Sequence, residues 1–331
     1  MSVPRLLAVS TLGVAAVLAI TGCSGAKPAA ETEKPAAKSV TVEDNTGKHT
    51  VQTPPKSVVA TDNRTFQTLS DWGVPLSAAA VSLMPDTVSY KTQKGLVDLG
   101  THREPNLELL VAAKPDLVIN GQRYQGFHDE IVKLAPDATV LELDPRDGKP
   151  FDSELKRQVT VLGEVFGKQA EAKKLVSDFD TAVDRAKKAY KSSDTVLAVN
   201  TSGGAIGNIA PTVGRTLGPV YDLIGLTPAL KVEKSSEGHK GDEISVEAIA
   251  SANPDWILVM DRDASFDKAE RGADYKPAAE ILEKNDALKN VKAVANKRIV
   301  YMPTDTYLNE GIQTYTEFLN DFADALEKSK A

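Results

Sequence analysis

The sequence predicts an α/β protein of two similar lobes, each on a mainly parallel sheet, joined by a helical link. Three observations predict it. A segment occurs twice: Asn106 to Ile119 recurs as Ser245 to Leu258, so that Glu108 is answered by Glu247, Pro115 by Pro254, Asp116 by Asp255 and, just beyond, Arg123 by Arg262, all at an offset of 139 (247 − 108 = 262 − 123). Helical patterns alternate with near-continuous apolar runs, as expected where strands are covered on both faces. Between the two copies, Leu155, Val159, Leu162 and Phe166 fall on one face of a helix.

In chain order, Val40 to Glu43 and Lys48 to Val51, separated by Asp44-Asn45-Thr46-Gly47, read as a hairpin. Ser57 to Ala60 starts the first lobe, and Phe66, Leu69 and Trp72 suit a helix closed by Gly73. In the doubled segment Asn106 and Ser245 are good N-caps, and the acidic residue two positions on suits the positive end of the helix dipole. Lys114-Pro115 and Asn253-Pro254 end each helix, and the apolar run that follows reads as a buried strand. Arg123 and Arg262 then lie just past the carboxyl ends of those strands, where ligands bind in parallel sheets. Thr139 to Leu143 closes the lobe with a strand. A second linking helix carries Leu175, Phe179, Ala182, Ala186 and Tyr190, Thr195 to Val199 opens the second lobe, Arg298 to Tyr301 is its last clear strand, and Ile312, Tyr315, Leu319, Phe322 and Leu326 mark a closing helix.

The ends and the composition narrow the function. Arg5 followed by the apolar run from Leu6 to Ile20 is too short to span a bilayer and reads as a secretory signal. Ala26 to Ser39, rich in Ala, Lys, Glu and Pro, reads as a flexible tether. The expected organisation is a signal over 1–22, a lipidated N-terminus and tether over 23–39, a first lobe over 40–150, a helical link over 151–192 and a second lobe over 193–331. Loss of the signal removes Arg5 and leaves 46 acidic against 38 basic residues, a net charge of −8. That balance argues against a nucleic-acid partner, which would need a basic face. An enzyme is not indicated either. His49, His102, His128 and His239 show no paired metal-ligand spacing, there is no Gly-x-Ser-x-Gly elbow, and Ser202 to Gly207 lacks the spacing of a phosphate loop. No cofactor is expected.

The ends and motifs together resemble a known family. Ile20-Thr21-Gly22-Cys23 resembles the lipobox of bacterial lipoproteins, whose cysteine is acylated, and Cys23 is the only cysteine. With Val58 to Asp62, the doubled segment, Gly121-Gln122-Arg123, Gly214-Arg215-Thr216, Val259 to Arg262 and Thr306-Tyr307-Leu308, the chain from about residue 40 onward resembles substrate-binding lipoproteins of ABC importers for ferric siderophores, nearest the catecholate and petrobactin subgroup. The resemblance implies two lobes joined by a long rigid helix. It also implies a cleft lined by Arg123, Arg215 and Arg262, whose planar, permanently charged guanidinium groups suit an anionic ferric complex. Tyr307 and His239 are the implied iron-contacting residues, and Glu108 and Glu247 the implied docking points, one per lobe, on the permease. The expected protein is thus a monomer, held on the outer side of a bacterial cell membrane through lipid on Cys23. Two other functions compete: a haem or cobalamin receptor of the same fold, which would want an apolar slot, and a surface lipoprotein enzyme.

Overall fold

The computed structural model describes residues 38–230, 238, 240–272 and 275–330. The signal, Cys23, most of the tether and His239 lie outside the described residues. A hairpin of β1 (Lys38–Glu43) and β2 (Lys48–Thr53) comes first. The N-terminal lobe follows with β3 (Val58–Ala60), α1 (Phe66–Asp71), β4 (Ala78–Ala79), β5 (Val97–Asp98), α2 (Leu107–Ala112), β6 (Leu117–Asn120), α3 (His128–Leu134) and β7 (Thr139–Glu142). Its sheet, in the order β5-β4-β3-β6-β7, is parallel throughout. Helices α4 (Phe151–Phe166) and α5 (Gln169–Ala189) lead to the C-terminal lobe. It contains β8 (Thr195–Ser202), β9 (Ala205–Asn208), α6 (Gly218–Ile224), β10 (Thr227–Pro228), β11 (Asp242–Glu243), α7 (Val246–Ala252), β12 (Trp256–Asp261), α8 (Ala278–Glu283), α9 (Lys292–Ala295), β13 (Ile299–Tyr301) and α10 (Ile312–Lys328). Here β10, β12 and β13 run parallel to β8, β9 pairs antiparallel with β8, and β11 pairs antiparallel with β9 at the edge.

Side chains alternate across each strand, and both faces are buried. Val58, Ala60, Leu117 and Ile119 enter one core of the N-terminal lobe, while Val59 and Val118 enter the other. Val196, Ala198, Leu258 and Met260 face one core of the C-terminal lobe, and Leu197, Val199, Ile257 and Val259 the second. This two-sided burial is why these strands read as unbroken apolar runs.

The link resolves into two helices with different work. Helix α4, about 24 Å long at 1.5 Å per residue, buries Leu155 and Val159 in the C-terminal core but Val161, Leu162 and Val165 in the N-terminal core. It is the element that spans the lobes. Gly167, left-handed at φ +67°, ends it. Helix α5 instead belongs to the C-terminal lobe, where Phe179, Ala182 and Ala186 share its core with Phe318 and Phe322 of α10.

The doubled segment is repeated in atomic detail. Asn106 caps α2 by accepting from the Leu109 amide at 3.0 Å, and Ser245 caps α7 from the Ala248 amide at 3.2 Å. Lys114 and Asn253, before the two prolines, are both left-handed. Asp116 accepts from the Lys56 and Ser57 amides at 2.8 and 2.9 Å, and Asp255 from the Thr195 amide at 2.9 Å. In each lobe the aspartate therefore pins the start of the neighbouring strand, β3 or β8. The Ser202 to Ile206 stretch is the turn between β8 and β9, with Gly203 and Gly204 both at positive φ, as a tight hairpin requires.

Gly163 marks the closest approach of α4 to the segment leading into α5: a Cβ there would stand 2.7 Å from that of Ala172 and 3.2 Å from the Lys168 carbonyl oxygen. Gly163→Ala should therefore destabilise the protein by about 1–3 kcal/mol through overpacking, read as a lowered Tm. An unchanged Tm would mean that the junction has slack.

Candidate functional site

Four segments deliver their side chains to one place between the lobes. After β6, Gly121 (φ +156°) and left-handed Gln122 turn the chain into a short 3-10 turn that carries Arg123. A side chain at Gly121 would meet Asp144 Oδ2 at 2.8 Å and Asp62 Oδ2 at 3.1 Å, so this turn needs glycine. Arg262 directly follows β12, Arg215 stands in the loop before α6, and Tyr307 lies in the 3-10 turn after β13. The guanidinium carbons of Arg262, Arg123 and Arg215 stand 4.5, 4.7 and 5.2 Å from the centre of the Tyr307 ring. Three cations thus share one aromatic face system, each such contact adding about 0.5–2 kcal/mol. Arg123 Nη2 also donates to the Tyr307 carbonyl at 3.2 Å, crossing from the N-terminal to the C-terminal lobe.

The charges around this cluster are ordered. Glu310, 1% exposed, accepts both arms of Arg215 at 3.1 and 2.7 Å and the Thr216 hydroxyl at 2.5 Å, and it faces Arg64 Nη2 at 3.5 Å. Burial alone would raise its pKa, but Arg215 and Arg64 outweigh that and hold the carboxyl at about 2. Arg64 in turn donates to Asp144 at 2.8 Å. Burial and the neighbouring Asp144 push the Asp62 carboxyl well above the usual carboxylate range. Arg262 Nη1 donates to Asp263 at 2.7 Å and Ser202 at 3.3 Å. Burial would raise the Tyr307 phenol, yet Arg123 and Arg262, both hydrogen-bonded to it, bring it below its ordinary value.

Beside Tyr307 opens a cavity of about 750 Å³. Arg123, His102, Arg103, Met84 and Lys91 line it from the N-terminal lobe, and Arg262, Phe266, Arg271, Tyr307 and Leu308 from the other. The periplasmic binding protein family matches residues 58–306. The chain belongs to that family. Among its relatives, the ferric-anguibactin-binding protein FatB of Vibrio anguillarum is 29% identical over 309 residues, 90% of this chain and 92% of FatB. The petrobactin-binding protein YclQ of Bacillus subtilis is 26% identical over 324 residues, 96% of this chain and 98% of YclQ. The crystal structure of the periplasmic catecholate-siderophore binding protein VctP of Vibrio cholerae superposes with a TM-score of 0.74 at 23% identity, covering 86% of this chain and 99% of that one.

In this periplasmic binding protein, Arg123, Arg262 and Tyr307 come together at the cavity. Tyr307 is only 4% exposed, its ring covered by the arginines and by Phe266 at 5.6 Å. Arg215 reaches the same ring from behind and lines a smaller pocket of about 410 Å³ with Arg64 and Gln122, not the larger cavity. Glu108 and Glu247 stand exposed in the first turns of α2 and α7, away from the cleft linings. Sequence reasoning missed His102, which follows β5 as Arg123 follows β6. Burial and the neighbouring Arg123, then Arg103, lower its pKa, and its buried Nδ1 has no partner among the described residues. It also missed Glu310 and Arg64. In an ultraviolet absorbance titration of the ligand-free protein, one phenol should ionise below pH 10, while burial moves others such as Tyr90 and Tyr124 upward. Tyr307→Phe should remove that early step. Its persistence would show that Arg123 and Arg262 do not act on Tyr307.

Proposed function

We propose that this chain is the binding subunit of an ABC importer: it is anchored to the outer side of the cell membrane by lipid on Cys23, captures a ferric siderophore in the cleft and passes it to the permease. The observation that carries the reading is the convergence of Arg123, Arg215 and Arg262 on Tyr307 beside a cavity of about 750 Å³. Guanidinium groups donate to anionic oxygens without ever losing charge, and the low dielectric of a half-enclosed cleft strengthens each such bond. The names of FatB and YclQ support the same cargo. Tyr307 is the side chain best suited to the iron itself, because its lowered pKa favours the phenolate, a hard oxygen ligand. The role is capture and transfer rather than catalysis. In this reading the tether of 23–39 carries two lobes over 40–150 and 193–331, with α4 of the 151–192 segment bridging them and α5 packed in the second lobe.

Isothermal titration calorimetry with ferric catecholate, ferric hydroxamate and haem tests the site. Arg123→Ala should weaken the ferric catecholate by about 10- to 100-fold, the worth of one charge-assisted bond of about 1.5–3 kcal/mol, and Tyr307→Phe should alter the complex's charge-transfer band. Tight haem binding, or equal affinity for all three in both variants, would overturn the reading.

Docking is proposed for Glu108 and Glu247 because they are exposed, equivalent by the repeat and set one on each lobe. Paired Glu108→Ala and Glu247→Ala should abolish uptake in cells while leaving cargo affinity intact. Lost affinity instead would make them structural residues.

A further inference from the structure

We infer that Glu310, with Asp263, sets the charge of the cargo, and that the cleft is matched to ferric complexes of about one net negative charge rather than to a ferric tris-catecholate. This rests on the ferric-siderophore reading above. Three dianionic catecholates around Fe³⁺ leave a charge of −3, and three arginines taken as free cations would equal it. The structure removes two of them from that account. Arg215 is gripped at both arms by Glu310, which is ionised and almost fully buried. Glu310 also faces Arg64, and Arg64 is bound in turn by Asp144. Two cations and two anions balance there. Arg262 is paired with Asp263 at 2.7 Å.

Arg123 differs from both. Its Nη2 donates to a carbonyl and it hydrogen-bonds the Tyr307 phenol, while among the described residues its buried Nε has no partner and no carboxylate pairs with it. The lining of the larger cavity, which includes neither Arg215 nor Glu310, is a separate count with the same sign: six Lys or Arg side chains and five Asp or Glu, a net of one positive charge with Tyr307 as the neutral phenol. His102 adds none near neutral pH, because burial and the nearby arginines favour its uncharged form. A complex of charge −3 would enter this half-enclosed site with about two charges unanswered, and an unpaired charge taken from water is costly. A complex of charge −1 would be matched. Glu310 thus acts through Arg215 as a specificity-determining residue, and its contact with Arg64 places that control on the seam between the lobes.

The test uses hexadentate ferric complexes that differ in charge but not in denticity: three catecholates (−3), one catecholate with two hydroxamates (−1) and three hydroxamates (0). Affinities of the mature chain, Glu310→Gln and Asp263→Asn are measured by calorimetry at fixed ionic strength. The wild type should prefer the −1 complex to the −3 complex by about tenfold or more. Each variant should shift that ratio toward −3 by about tenfold. Asp263 lies on a partly exposed turn, so Asp263→Asn keeps the idea testable if Glu310→Gln fails to fold. A wild type that prefers −3, or a ratio unchanged in the folded variants, would overturn the inference while leaving the siderophore reading in place. Binding of none of the three, nor of a tetradentate ferric bis-catecholate that leaves iron positions open for Tyr307, by folded wild type would remove both.

Discussion

Helix α4 is buried in two hydrophobic cores at once, and the placement of every side chain in the cleft depends on that constraint. Leu155 and Val159 fix one end to the C-terminal core, while Leu162 and Val165 fix the other to the N-terminal core. Each buried side chain of this kind contributes about 1.5–3 kcal/mol, so neither end can lift without a large loss. The carboxyl end of β6, which presents Arg123, is therefore held at a set distance from the turn that presents Tyr307. That is what allows one arginine to reach both the ring and the carbonyl of a residue 184 positions away.

A second layer of contacts fixes the seam. The segment from Asp305 to Gln313 belongs to the C-terminal lobe but hydrogen-bonds to the N-terminal one: Asn63 Nδ2 donates to the Leu308 carbonyl at 3.3 Å, Asn309 to Gln67 at 2.7 Å and Thr68 to Gln313 at 3.0 Å. Tyr307 and Glu310 lie within this clamped segment. Removing Glu310 alone from its buried pairing would leave Arg215 uncompensated and Arg64 with Asp144 alone, and breaking buried pairs in that way costs about 3–5 kcal/mol. Recognition of cargo and attachment of the lobes therefore share residues.

Much of this was legible in the sequence, for physical reasons that differ by element. Helices α4 and α10 are long and strictly amphipathic, and β8 and β12 are buried on both faces, so periodicity alone located them. The repeated Glu, Pro, Asp and Arg pointed to equivalent strand ends, and the resemblance to siderophore-binding proteins agrees with the family and its relatives. The two-residue strands Ala78–Ala79 and Val97–Asp98 could not be read, since two residues carry no period. Without β5 there was no strand end to draw notice to His102. Glu310, in Asn309-Glu310-Gly311, reads as a polar loop. Its burial is imposed by Arg215, 95 residues away, and by Arg64, and such pairings leave no local signature. The prolines of the repeat were read as helix terminators, while the aspartates beside them proved to be anchors for β3 and β8.

A rod seated in two cores also limits how cargo can leave. Wide opening by a hinge would have to unpack Leu155 or Leu162, whereas a small twist of one lobe about the axis of α4 keeps both cores intact. Such a twist would act on the contacts that cross the seam, among them the bond from Arg123 to the turn that carries Tyr307. Handover to a partner would then be a change in aim rather than in width: the lobes stay together, and Arg123, the one arginine of the three on the opposite lobe from Tyr307, slips off the ring.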